Sequence, residues 1–463
     1  MILFFLITLF FVAEEKKHDE LSYQDAIKTS LNQSPNYLQN LLSYENSLNN
    51  WKISRTEFSI RPDMSFSLLD SEGSDRNESL NTSFNLDTVY LGDFSISYNL
   101  NHCNVWSVGT CLDSQNYQES SNLTWTIPLG KGSSVLMKKK SIIRSDWSLE
   151  EAQINLFKNK QNTISSAVQL WLGLRNSLKQ LEIRQQNLEN SEEFLRQQNV
   201  KFDLELIAKS ALTQSAYQRD QSKLSLLNAE ESVESSWEDL NTYLGHAADL
   251  RGTLDVNLPI APREVPDLKT ALENYSAFST MKIAKISLDR NELSLKEAGD
   301  AMRWNIALTN RAFGSSEGSS FGNISDQGNT HTTTISIDVP LDRRDERTTY
   351  ENSKNNYASA EIEYSEDIKE FKLDLTSNHR LIEKRIRELE LQESAFQLAT
   401  ETYNTTLRGY QGGLNSLQDY LTAESSYVNA QLGVTNAEES LRNAWIQWWK
   451  LTDEDLEKIF LEE

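Results

Sequence analysis

The chain repeats itself at long range. Leu174, Leu181, Leu188, Leu195 and Phe202 stand seven residues apart, and Ile382, Leu389, Phe396, Tyr403 and Tyr410 restate that seam 208 positions later. The correspondence resumes at Leu224/Leu432, Ala229/Ala437 and Trp237/Trp445. One fixed offset between two heptad seams means a duplicated unit. A strict period of seven also demands that neighbouring helices supercoil to keep the seam covered. The helices are long. No proline interrupts Ser141–Leu258 or follows Leu341. Helices over 133–202 and 345–410 would be about 105 and 99 Å long at 1.5 Å per residue. The first turns near Phe202, the second at Tyr410-Gln-Gly-Gly-Leu414, where glycines are free to take positive φ. Return helices follow over 208–244 and 415–451.

Short strands precede each long helix. Met64, Phe66 and Leu68 alternate with serines, and Trp304, Ile306 and Leu308 alternate with Asn305 and Ala307. Leu123-Thr-Trp-Thr-Ile-Pro-Leu129 is answered by Ile335-Ser-Ile-Asp-Val-Pro-Leu341. Strands are therefore expected at about 62–70, 121–129, 303–313 and 331–341, each with an apolar and a wet face. For a sheet packed on a globular core the wet face is the solvent side, and for a membrane barrel it is the lumen. Repeat one carries an extra alternating hairpin at about 80–118, which either joins the sheet or projects from it. The organisation reads as a repeat over 21–245, a linker over 246–265, a second repeat over 266–452 and an acidic tail over 453–463. Each repeat runs helix, strand, strand, long helix, return helix.

The remaining features bound function. The 463 residues carry a net charge of −23, are 38% apolar and have a mean hydropathy of −0.56, which suits a thin helical structure with much wet surface. Nucleic acid is excluded as a partner, because phosphate neutralisation needs a basic face. Ile2–Val12 is too short to span a bilayer as a helix but fits the apolar region of a signal peptide over 1–13. In an exported chain, Cys103 and Cys111 read as one local disulfide. The five histidines are scattered, so no metal site is expected, and no phosphate loop or nucleophile elbow points to catalysis or a cofactor. Lys138, Lys139, Lys140 and Arg144 begin one long helix, and Arg343, Arg344 and Arg347 the other. Either contact with anionic head groups or a solvated face explains them. Trp237, Trp445, Trp448 and Trp449 occupy the ends of the return helices, where packing explains them better than a membrane belt.

Taken together, these residues resemble the outer-membrane efflux protein family, the TolC-like channels. The resemblance covers Leu21 to Leu451. It rests on Leu21-x-x-x-x-Ala26-Ile27 with Ser34-Pro35, on Leu123–Gly132 leading into a long helix, and on the tip sequence Tyr410–Ala423. The chain departs from the family pattern at Glu205, Ala211, Asn415 and Thr422.

The resemblance implies a homotrimer in the outer membrane. Each chain would give four strands to a shared twelve-stranded barrel and helices to a periplasmic coiled-coil tunnel. It implies a passive exit duct, the outer component of a tripartite efflux or type I secretion system. A periplasmic adaptor (membrane fusion protein) would open it and couple it to an inner-membrane pump of RND or ABC type. Asp419 and Tyr410 are then candidate periplasmic gate or selectivity residues. Phe202, Glu205, Leu206, Gly412, Gly413, Leu414 and Ser416 become candidate adaptor contacts. The alternative is a trimeric coiled-coil surface protein with a β head, soluble without detergent.

Overall fold

The structure, a computed structural model, describes residues 20–71, 74–104, 117–245, 253–254, 261–318 and 324–461. The expected signal peptide and Cys111 lie outside that set, and with them any test of the disulfide. Two compact units result. One comprises Met1–Leu42, Asn155–Met281 and Ile368–Glu463, the other Ser43–Ile154 and Lys282–Asp367.

Along the chain, β1 (Glu20–Leu21) precedes α1 (Tyr23–Gln33), whose N-cap Ser22 accepts from the Asp25 N–H. Pro35 then opens α2 (Pro35–Arg55), since a ring without an N–H suits a first helical turn. Four strands follow: β2 (Arg61–Ser71), β3 (Ser74–Asp87), β4 (Asp93–Asn104) and β5 (Tyr117–Pro128). A short α3 (Val135–Lys138) leads to the 64-residue α4 (Lys140–Asp203) and its return, α5 (Lys209–Leu244). After β6 (Thr253–Leu254) in the linker, the second repeat has α6 (Leu268–Glu273), α7 (Ser279–Ala301), β7 (Asn305–Gly318) and β8 (Ile324–Asp338). The 68-residue α8 (Arg344–Gln411), α9 (Leu417–Leu451) and α10 (Leu456–Leu461) complete it. Helices, strands, a long helix and a return helix follow in that order in both halves, but β3, β4 and α3 have no counterpart in the second.

The sheet lies wholly within the second unit. Its order is β2-β3-β4-β5-β7-β8, with every neighbour antiparallel. The strand count differs from expectation: six strands per chain share the sheet instead of four, because the extra hairpin enters it as β3 and β4. The reason is visible in the register. Phe84 pairs with Ile96, Ile96 with Leu123 and Leu123 with Ala312, so one apolar row crosses four strands. The neighbouring row runs through Met64, Thr82, Tyr98 and Ser121, and the next through Phe66, Leu80, Leu100 and Glu119. The opposite face carries Ser65, Asn81, Asn99 and Ser120 in one row and Ser83, Ser97 and Asn122 in another. A slip of one residue anywhere would exchange the two faces. The β3–β4 turn is tight. Gly92 takes φ +86°, and a Cβ there would meet the Thr126 carbonyl oxygen at 2.3 Å.

The first unit is a helical core. Tyr23, Ile27, Ile164, Trp171, Leu174, Trp237, Leu240, Leu244 and Ile446 pack together in it. The tryptophans pack as expected: Trp237, Trp445 and Trp448 are 7%, 6% and 3% exposed, and the Trp445 indole donates to the Pro262 carbonyl at 2.9 Å. The C-terminal segment is more than an acidic tail. Leu456, Ile459 and Phe460 share one face of α10 and join the core, with Phe460 edge-on to Tyr23 and Trp449. The linker also contributes, because β6 pairs in parallel with β1.

Candidate functional site at the helical tips

Both long helices end in the same local motif. The Leu206 N–H donates to the Lys201 carbonyl at 2.8 Å, and the Leu414 N–H to the Gly409 carbonyl at 2.7 Å. These six-to-one bonds close a Schellman cap, which needs a left-handed residue just before the donor. Glu205 (φ 59°) and Gly413 (φ 77°) fill that position. Their numbers differ by 208, so the duplication extends into the turn geometry. What the caps leave outside is apolar: Leu204, Leu206 and Leu414 are 63%, 69% and 87% exposed.

The return helices start differently. Ser416 caps α9 through a full capping box, in which its hydroxyl accepts from the Asp419 N–H and the Asp419 carboxylate accepts from the Ser416 N–H at 3.0 Å. The Ser416 hydroxyl, which also donates to the carboxylate at 2.7 Å, and then the Ser416 N–H hold the Asp419 carboxyl below the usual range. Asp419 is thus an exposed carboxylate with an immediate structural task. In α5 the equivalent positions are Ala208 and Ala211, and no side chain caps the helix. The departure at Ala211 is the loss of a cap.

Tyr410 joins the two hairpins. Its hydroxyl donates to Gln198 Oε1 at 2.9 Å, while its ring lies 5.5 Å from Phe194 and 5.7 Å from Tyr420. The Lys201 ammonium stands over the ring at 4.7 Å. Phe202 is half-buried nearby, whereas Glu205, Gly412, Gly413 and Ser416 are exposed. Tyr410 and Asp419 therefore occupy different environments, the first inside an aromatic cluster and the second outside it.

Sequence reading missed two residues of this cluster. Gln198 is wholly buried, and its Nε2 has no partner among the described residues. Glu424 is 3% exposed beside Tyr420, whose hydroxyl reaches its Oε1 at 3.5 Å. Burial raises the Glu424 carboxyl to about 7. A polar residue falling on the core face of a heptad was the available signal in both cases.

The basic groups at the start of the long helices are largely engaged. Lys138 bonds both carboxylate oxygens of Asp93 at 2.8 and 2.9 Å, Arg144 pairs with Glu297 at 2.6 Å, and Arg344 pairs with Asp342 at 2.7 Å. Among the described residues no cluster of metal-ligating side chains occurs, and no helix is long and apolar enough to cross a membrane.

An antiparallel sheet with one apolar and one polar face stands here in a chain that also carries tandem long-helix hairpins. Residues 301–452 match the family of outer membrane efflux proteins, which bears out the resemblance carried by the sequence. The fold extends the likeness to nearly the whole chain. The outer membrane protein VceC of Vibrio cholerae superposes with a TM-score of 0.67 at 12% identity, covering 93% of this chain and 95% of that one. The Campylobacter jejuni CmeC outer membrane channel gives 0.63 at 14%, over 94% and 86%. The open state of the Neisseria gonorrhoeae MtrE outer membrane channel gives 0.65 at 13%, over 94% and 89%. Curated proteins give no match by sequence.

Proposed function

We propose that this chain is the outer-membrane component of a tripartite efflux or type I secretion system, a passive duct from periplasm to exterior. The observation that carries the reading is the two-faced sheet in a chain whose second repeat matches the efflux family. Three copies close the barrel. Within one chain the sheet ends at β2 and β8, and each unpaired backbone group left in lipid costs several kcal/mol. Leu373, Leu391 and Leu398 of α8 are 66%, 71% and 62% exposed in the isolated chain, and a second copy would cover them.

The tips are the docking point for a periplasmic adaptor, which links the duct to an inner-membrane pump of RND or ABC type. Leu204, Leu206 and Leu414 supply the apolar contacts there. Tyr410 holds the two hairpins together, and Asp419 contributes one carboxylate per copy to the mouth. The test is purification of the full chain from outer membranes. The expected result is detergent-dependent extraction, a homotrimer, and single-channel currents in planar bilayers that multivalent cations block. Asp419→Asn keeps an acceptor for the cap and removes the charge, so the block should weaken with the trimer intact. A monomer soluble without detergent would overturn the reading.

A further inference from the structure

The hairpin that distinguishes repeat one is part of the wall. From the six-stranded sheet we infer that the assembled pore is an eighteen-stranded barrel, in which β2 of each copy pairs with β8 of the next. The inference rests on the channel reading above and adds the size of the bore and the copy-to-copy surface.

Four observations place β3 and β4 in the wall. The strands are long, at 14 and 12 residues, and they pair with their neighbours throughout their length. The apolar face continues through them, with Thr82, Ser121 and Glu119 as polar breaks: Phe84, Leu86, Phe94, Ile96 and Leu100 face the same way as Met64 and Phe66 on β2 and Leu123 and Trp125 on β5. The closing turn is anchored sideways, since the Trp125 indole donates to the Leu91 carbonyl at 2.6 Å and its ring stacks on Phe94 at 5.5 Å. The polar face is also cross-linked strand to strand. Arg311 Nε donates to Asn122 Oδ1 at 2.7 Å, and Asn99 Nδ2 reaches Ser120 Oγ at 3.4 Å. A projecting hairpin would need neither a lipid-facing row in register with the wall nor a turn bonded to the next strand.

The two edges suit one another. A meander of six strands has edges running in opposite directions, so a β2–β8 contact between copies is antiparallel and continues the ladder. Each edge presents apolar residues on one face and hydroxyls on the other: Met64 and Phe66 against Ser65 and Ser67, Ile335 and Ile337 against Thr334 and Ser336. A second copy is the one partner that brings a matching edge to both sides at once. With strands about 4.8 Å apart and tilted about 40°, twelve strands enclose a backbone radius of about 12 Å and eighteen about 18 Å. The bore of the barrel is wider by about half than four strands per chain would give.

Electron cryomicroscopy of the detergent-purified full-length trimer counts the strands directly. Eighteen, with β2 against a neighbour's β8, is the expected result. Twelve, with β3–β4 outside the wall, overturns this inference and leaves the channel reading standing, whereas a particle without a bore sinks the channel reading itself. Thiol labelling supplies an independent readout in a Cys103→Ser, Cys111→Ser background in native membranes. A water-soluble reagent should modify Ser97→Cys on the luminal face and spare Ile96→Cys on the lipid face. Equal modification of both places the hairpin in water and overturns the inference.

Discussion

At the scale of the residue, the two tips are a controlled comparison. The same left-handed position holds Glu205 in one repeat and Gly413 in the other. A side chain in that region costs about 1–2 kcal/mol, while glycine gives back about 0.5–1 kcal/mol through its freer unfolded state. Glu205→Gly should therefore stabilise the first tip by roughly 0.5–1 kcal/mol, read as slower amide exchange over 200–212. Glu424 makes the opposite kind of statement. Its folded value of about 7 lies above the ordinary 4.5, so the fold favours the protonated form. That contribution is full below about pH 4.5 and is lost as pH rises through 7; above it the buried charge costs on the order of 3 kcal/mol. Tyr420 faces the carboxyl on α9, and Tyr403 packs against Tyr420 from α8, with no cation among the groups acting on Glu424. The thermal midpoint should fall between about pH 4.5 and 7 and level off above that, and Glu424→Gln should flatten that slope. An unchanged slope in the variant would assign the titration elsewhere.

Element by element, what was legible in the sequence was whatever repeats with a fixed period. The heptads gave the long helices, and the alternation gave the strands β2, β5, β7 and β8. The hairpin was visible as a pattern, but its place was not, because alternation defines two faces and says nothing of which neighbour a strand takes. Pairing through Ile96 and Leu123 settled that. In the return helices the pair Ala229/Ala437 belongs to a longer stripe of small residues. Ser215, Ser222, Ala229 and Ser236 recur every seven residues, and Ala423, Ala430, Ala437 and Ala444 repeat them 208 later. Small residues let helices approach closely. Ser222 is 2% exposed and bonds both Asn187 and Ser191 across the α4–α5 hairpin. The same comparison exposes a weak start in α5, whose Ala208 and Ala211 replace the Ser416–Asp419 box. Ala208→Ser combined with Ala211→Asp should raise stability by about 1 kcal/mol, and Ser416→Ala should lower it by a similar amount. Denaturant titration of the purified protein checks both. Equal midpoints across the three proteins would mean that the caps are already satisfied by other groups.

For the whole molecule, the proposed assembly accounts for surfaces that one chain leaves open. The sheet of one chain has two open edges, and α8 leaves Leu373, Leu391 and Leu398 outside any core. Their numbering explains why sequence alone did not single them out. The expected seam ran through Leu389 and Phe396, and Leu389 is indeed 5% exposed within its own chain. Leu391 and Leu398, two residues further round at the same spacing of seven, form a second stripe on the same helix. One helix with two apolar stripes suits two neighbours, and among the described residues this chain covers one of the stripes. Burying a leucine contributes about 1.5–3 kcal/mol, so placing a charge at both positions should cost the assembly several kcal/mol per interface. Leu391→Lys with Leu398→Lys is expected to shift the detergent-solubilised protein from trimer to monomer by light scattering. Its helical circular dichroism should persist, because both side chains lie outside the intrachain core. If the double variant remained trimeric, the second stripe would not be the contact between copies, and closure would have to come from the strand edges alone.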